Sequence, residues 1–242
     1  MMKVKAWLLL ASMLSLCAMA SDKEDVTVSY VANASFEADN ISLLEAVNNS
    51  ADGLRGYKVS APQGWTVVNS ANAVSLLVTA DSYTDNNFGL VTTLADGQQA
   101  YYLRMGWSTG ATTVRQIIAS LPKGKYQLQA SVRSAYANQA VSSFGLVAGG
   151  SSTSVSFSQG STGCMPSMKW SVETLNFEQI SDASVTIGFD INWQSGGSCV
   201  MFDDVRLYRL PDDYVAPEDQ TEQDVDSPTE GQSYPLLHLQ CL

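Results

Sequence analysis

Apolar and polar positions alternate along much of this chain. In 125–134, Tyr126, Leu128, Ala130 and Val132 fall on one face, and Gln127, Gln129, Ser131 and Arg133 on the other. In 184–193, Val185, Ile187, Phe189, Ile191 and Trp193 oppose Thr186, Gly188, Asp190 and Asn192. A period of two marks a strand with one buried face. The same reading places strands at 26–31, 64–69, 74–79, 99–107, 112–120, 143–148, 153–158, 169–177 and 199–209. Clusters such as "ADGQQ", "LPKGK", "AGGSS" and "QSGGS" mark turns between them. One helix is predicted, over 41–50. Many strands with short turns predict an antiparallel two-sheet β-sandwich rather than βαβ units.

One predicted strand carries an anomaly. In "SCVMFDDVRLYRL", residues 198–210, two carboxylates occupy the middle. Strict alternation sends Asp203 and Asp204 to opposite faces and sets Asp203 beside Met201, Val205 and Leu207. A carboxylate among apolar side chains is costly unless a partner meets it. Arg206 and Arg133 are candidate partners; Asp204, pointing the other way, reads as an outer-face hydrogen-bonding residue, with plain exposure to water as the alternative.

Both ends of the chain differ from its body. Residues 1–20 have Lys3 and Lys5, an apolar run to about Leu16 and the small residues Ala18 and Ala20, the pattern of an export signal. Residues 211–242 hold eight of the 24 acidic residues and neither Lys nor Arg, which predicts a disordered acidic tail or linker. Residues 21–210 are then one domain with 16 acidic and 11 basic residues, a net charge of −5. That balance argues against nucleic acid and anionic membranes as partners. Export places the protein outside the cell, on its surface or in the periplasm. An oxidising compartment makes a Cys164–Cys199 disulfide plausible, with two buried thiols as the alternative.

Three segments together carry a resemblance: "VANASFEADN" followed by "APQGWTVV"; "QAYYLRMGWSTGATTVRQIIASLPKGKYQLQASVRS"; and "WSVETLNFEQISDASVTIGFDIN" leading into "VMFDDVRLYRL". The order N-x-S-F-E, G-W, F-D-D-V resembles the galactose-binding-like jelly roll. Within it, the likeness is to carbohydrate-binding modules of families four, nine, sixteen and twenty-two. The resemblance implies a structural calcium held by Glu37 and Asp203, and calcium's demand for six to eight oxygens suits carboxylates distant in sequence.

Catalytic chemistry finds few candidates. The single histidine, His238, lies in the acidic tail, which removes the base from a Ser-His-Asp or Cys-His arrangement and the nitrogen ligands from a zinc site. Asp190 and Glu173 are the carboxylates a glycoside hydrolase would need. Aromatic rings suit the apolar faces of sugars, and polar side chains suit their hydroxyls. Trp65 and Trp170 read as packing. Trp107, Trp193 and Tyr136, at strand ends, are candidate ring contacts. Tyr102, Arg104, Gln129, Arg133 and Asn192 form a groove floor if their strands share a sheet; the alternative is an ordinary solvated face. The function expected on these grounds is a non-catalytic module binding a polysaccharide or oligosaccharide, accessory to a degradative enzyme. A protein-interaction sandwich and a glycan hydrolase are the alternatives.

Overall fold

The structure is a computed structural model that describes residues 23–49, 54–80, 93–105, 108–136, 142–158, 165–166, 169–194 and 198–215. The expected export signal, most of the expected acidic tail, Cys164 and Trp107 lie outside the described residues. Among the described residues the strands in chain order are β1 (Glu24–Asp25), β2 (Ala46–Asn49), β3 (Leu54–Lys58), β4 (Thr66–Asn69), β5 (Val74–Val78), β6 (Ala100–Met105), β7 (Gly110–Leu121), β8 (Gly124–Tyr136), β9 (Ser143–Ala148), β10 (Ser151–Ser152), β11 (Val155–Ser158), β12 (Met165–Pro166), β13 (Ser171–Gln179), β14 (Ala183–Trp193) and β15 (Ser198–Arg209). A one-turn helix, α1, covers Thr27–Tyr30.

Two sheets face each other. One runs β13-β8-β15-β6-β5-β3-β2, with β1 against the far end of β15; the other runs β12-β11-β9-β14-β7-β4, with β10 against β9. Every pairing is antiparallel except the short one between β11 and β12. This is the expected antiparallel two-sheet jelly-roll sandwich. The alternating faces of β8 and β14 point inward as read: Tyr126, Leu128, Ala130 and Val132 meet Val185, Ile187, Phe189, Ile191 and Trp193 in one core. Its centre is aromatic. Phe189 stacks on Phe202 at 4.8 Å between centroids, and Trp65 stacks on Phe189 at 5.6 Å.

Two elements depart from the periodicity. Residues 26–31 form α1 instead of a strand, because the Asp25 carboxylate accepts the Thr27 N–H and turns the chain. The helix expected over 41–50 is a 3₁₀ turn at Ile41–Leu43 followed by a hairpin of β2 and β3. Ala46–Asn49 has the backbone of Leu54–Lys58 to pair with, and that ladder outweighs a weak helical pattern.

The motifs behind the resemblance build the framework. Asn33, in a left-handed conformation, accepts the Ala38 N–H and donates to Asp39 and to the Gln63 carbonyl. Phe36 plugs the core between Trp65 and Tyr101. Trp65 donates its indole N–H to the Asn33 carbonyl. These residues specify a fold, not a ligand.

Candidate functional site

Part of the outer face of the eight-stranded sheet is buried rather than solvated. Leu76 and Val78 of β5, Ala100 and Tyr102 of β6, and Cys199 and Met201 of β15 form a second buried cluster, with Val47, Leu94 and Trp170 packed against it. The segment 93–96 belongs to its cover. Leu94 packs on the cluster, and the Trp170 indole N–H donates to the Thr93 carbonyl at 2.8 Å.

Asp203 is set at this face by a β-bulge. Asp204 adopts a positive φ of 49°, and the register of β15 against β8 shifts between Asp203 and Arg206. Before the bulge, Val200 and Phe202 point into the core while Cys199 and Met201 point outward; after it, Val205 and Leu207 point into the core. Strict alternation therefore fails at one extra residue. Asp203 shares a phase with Met201 but not with Val205 or Leu207.

What meets the buried carboxylate is backbone. Asp203 is 0% exposed. Its Oδ2 accepts the N–H groups of Ala95 and Asp96, each at 2.9 Å, and its Oδ1 accepts the Asp204 N–H at 2.8 Å. Glu37 holds the next residues of the same loop, its Oε1 accepting from the Gln98 and Gln99 N–H groups at 2.6 Å. Gly97 turns the loop at φ 55°, and a Cβ there would come within 2.3 Å of Glu37 Oε1. Arg206 pairs with Asp204, Asp25 and Asp96, not with Asp203. Ser35 donates to Asp96 and steadies the loop further.

The expected calcium pair thus meets five N–H groups whose positive ends face the carboxylates. Among the described residues no three Asp, Glu, His or Cys side chains form a group able to hold a metal. Two carboxylates directed at amides do not by themselves make a six- to eight-oxygen cage.

Burial is the leading effect on Asp203 and pushes its carboxyl up to about 7, against the downward pull of the three N–H groups. A carboxylic acid buried beside the apolar cluster, titrating near neutral pH, can hold and deliver one proton where water does not compete.

The remaining expected site residues separate. Tyr102 and Arg104 on β6, and Gln129 and Arg133 on β8, do share the eight-stranded sheet. Tyr102 and Arg133 are 0% and 2% exposed, so they are not a solvated groove floor. Gln129 donates to Gln127. Asn192 and Trp193 belong to the other sheet. Trp193 is 1% exposed and donates its N–H to Thr112 inside the core, so it is no rim platform. The phase of β14 already pointed it inward. Tyr136 closes β8 opposite Ser198. Asp190 pairs with Arg115 on the second sheet, while Glu173 accepts from Ser171 on the first, so the two are not a catalytic pair. Cys199 is buried in the outer cluster; its expected partner, Cys164, lies outside the described residues. Sequence reading passed over the 93–99 loop. Its one signal was "ADG" between two strands, and that reads only as a turn.

A protein-family model described as HpiC1 cyclase matches residues 27–208, nearly the whole sandwich. The chain belongs to the HpiC1-like cyclase family. No curated protein matches it. Among solved structures, a Stig cyclase, FisC from Fischerella sp. TAU, was determined with (3Z)-3-(1-methyl-2-pyrrolidinylidene)-3H-indole. It is 15% identical, covers 78% of this chain and 99% of its own, and gives a TM-score of 0.50. TmCBM61, determined with β-1,4-galactotriose, is also 15% identical, covers 74% and 97%, and gives 0.46. At that identity the FisC structure bears on the fold alone. The family match overturns the expectation of a non-catalytic carbohydrate-binding module, and with it the polysaccharide or oligosaccharide partner. A fold hosts many functions, so motifs that build the sandwich do not choose among them.

Proposed function

We propose that this protein is a cyclase that starts ring closure of an apolar, unsaturated small molecule by protonating it from Asp203. Membership of a cyclase family supports the reaction class. The observation that carries the residue assignment is a fully buried carboxyl beside Met201 on the buried part of the outer face, bonded only to backbone N–H groups. Its titration near neutral pH suits a general acid. Substrate reaches it when segment 93–96 lifts from the sheet, which breaks two of the three hydrogen bonds and the Trp170–Thr93 contact. The Leu76, Val78, Tyr102 and Met201 surfaces then hold the apolar body of the substrate and keep water from the cation formed by protonation. A calcium-bound Asp203 would stay ionised and could not donate, so the ion and acid roles exclude each other. Export is proposed from the leader alone.

Ring closure of this kind is an isomerisation: after the new bond forms, the ring-closed cation loses a proton back to the Asp203 carboxylate, so the mass is unchanged. The test incubates the purified chain with a set of unsaturated indole-containing small molecules and follows them by chromatography and mass spectrometry. The expected result is loss of one compound and growth of an isomer of equal mass with a new retention time. Failure of every compound to isomerise, with folded protein, counts against the reading.

A further inference from the structure

The loop that covers Asp203 has two halves, and different groups hold them. Its second half is clamped by Glu37, whose Oε1 accepts the Gln98 and Gln99 N–H groups at 2.6 Å. Gly97 opens that half in the left-handed region, at φ 55°, where a Cβ would come within 2.3 Å of Glu37 Oε1. The first half, 93–96, is held at its two ends by side chains from outside the loop. Trp170 donates to the Thr93 carbonyl at 2.8 Å. At the other end, Asp96 Oδ2 accepts the Ser35 hydroxyl at 2.8 Å and faces Arg206 Nη2 at 3.9 Å.

Arg206 is shared. Its Nε donates to Asp204 Oδ1, its Nη1 donates to Asp25 Oδ2 at 3.4 Å, and its Nη2 faces Asp96. Each nitrogen answers a carboxylate from a different element: the bulge of β15, the strand β1 and the loop. A planar guanidinium can serve three directions at once, which a compact ammonium cannot. Two of these carboxylates belong to residues whose own backbone N–H groups meet the acid, Asp96 at Asp203 Oδ2 and Asp204 at Asp203 Oδ1. One side chain therefore ties down a donor from the loop and the donor from the bulge. Among these four charged groups three are negative and one positive, so without Arg206 the carboxylates repel one another. The Arg206 and Asp96 side chains are 37% and 45% exposed, which leaves their attraction open to screening by salt.

We infer that Arg206 is a positioning residue for Asp203 and the ionic latch of a lid, segment 93–96, that swings on Gly97 while Gln98 and Gln99 stay clamped to Glu37. The inference rests on the reading that this segment covers the approach to Asp203. It is tested without turnover, so either can fail alone.

The test follows amide hydrogen exchange by NMR in the full chain, each rate corrected for its intrinsic value. Raising NaCl from about 0.01 M to about 1 M shortens the screening length from about 30 Å to about 3 Å. In the wild type this should quicken exchange at Ala95 and Asp96 about two- to fivefold, the scale of one exposed ion pair, and leave Gln98 and Gln99 unchanged. Asp96→Asn keeps an acceptor for Ser35 and removes the charge. At low salt it should quicken Ala95 by the same factor, abolish the salt response and leave the Asp204 amide alone. Arg206→Gln should quicken Ala95, Asp96 and Asp204 together. Adding Asp96→Asn to Arg206→Gln should bring no further quickening, because the charge removed there is one that Asp25 and Asp204 repel. Equal quickening of Gln98 and Gln99 by salt, no salt response at Ala95 and Asp96, or an Asp204 amide indifferent to Arg206→Gln overturns the inference. The salt series and Asp96→Asn, a surface change, decide the matter even if Arg206→Gln does not fold.

Discussion

Replacing Asp203 by Asn separates burial from hydrogen bonding as the force that governs this carboxyl. Three backbone N–H groups favour the ionised form; removal from water disfavours it. The structure puts burial ahead, lifting the carboxyl from 3.8 to about 7. A group whose folded value is raised binds its proton more tightly in the folded state. Its contribution to stability is therefore complete below the unfolded value near 4 and is lost as pH rises through 7. A shift of about three units corresponds to about 4 kcal/mol, an order-of-magnitude figure. Asn does not titrate, so the difference in unfolding free energy between wild type and Asp203→Asn isolates this group from the other acids. Asn also turns an NH₂ toward one of the N–H donors, a constant cost of about 1–3 kcal/mol at all pH values. Denaturant unfolding of both proteins from pH 4 to pH 8 should show the wild type losing about 4 kcal/mol relative to the variant across that range. It should be the more stable of the two at pH 4 and the less stable, or equal, at pH 8. A difference that stays flat, or one in which the wild type gains with pH, would refute the reasoning and show that the amide cradle outweighs burial.

Three further outcomes follow from the packing. Trp65→Ala removes a 5% exposed ring stacked on Phe189 and should cost about 3–5 kcal/mol in denaturant unfolding; a cost under about 1 kcal/mol contradicts its place in the core. Trp170→Phe keeps a ring on the outer cluster but removes the N–H to Thr93, so hydrogen exchange at the Ala95 and Asp96 amides should quicken about three- to tenfold while global stability changes little. Unchanged exchange means that bond does not hold segment 93–96 down. Chelator lowering the melting temperature of protein shown to contain calcium would assign Glu37 and Asp203 to the ion; an unchanged melting temperature would leave their backbone N–H contacts as the clamp.

The two sheets were legible because each long strand keeps one face apolar. β8 and β14 were read to within two residues, and their inward sets were right residue by residue. What escaped has a common physical origin in contacts that sequence spacing does not encode. Ala95 and Asp96 lie more than a hundred residues from Asp203, and nothing local announces that their N–H groups point at it. The bulge at Asp204 hides in a run whose alternation looks intact until the register slips. Trp193 shows the reverse error: its phase placed it inside, and its position before a Gly turn suggested a rim, but the hydrogen bond to Thr112 settles it in the core. The N-x-S-F-E and F-D-D-V motifs pointed to the correct fold and the wrong activity. Asn33, Phe36 and Glu37 set up turns, a core plug and a loop clamp, features that shape the sandwich without naming what it acts on.

The central claim is that Asp203 supplies the proton for ring closure. Its most direct test is the pH–rate profile of whichever isomerisation the wild-type chain performs, measured beside Asp203→Asn shown to be folded. An acid must be protonated to act, so the wild-type rate should be high below neutrality and fall as pH rises through about 7. The variant should be slower by about 10²–10⁴-fold with no inflection near 7. Isomerisation by the variant at the wild-type rate, or a wild-type rate that climbs through pH 7, contradicts the account.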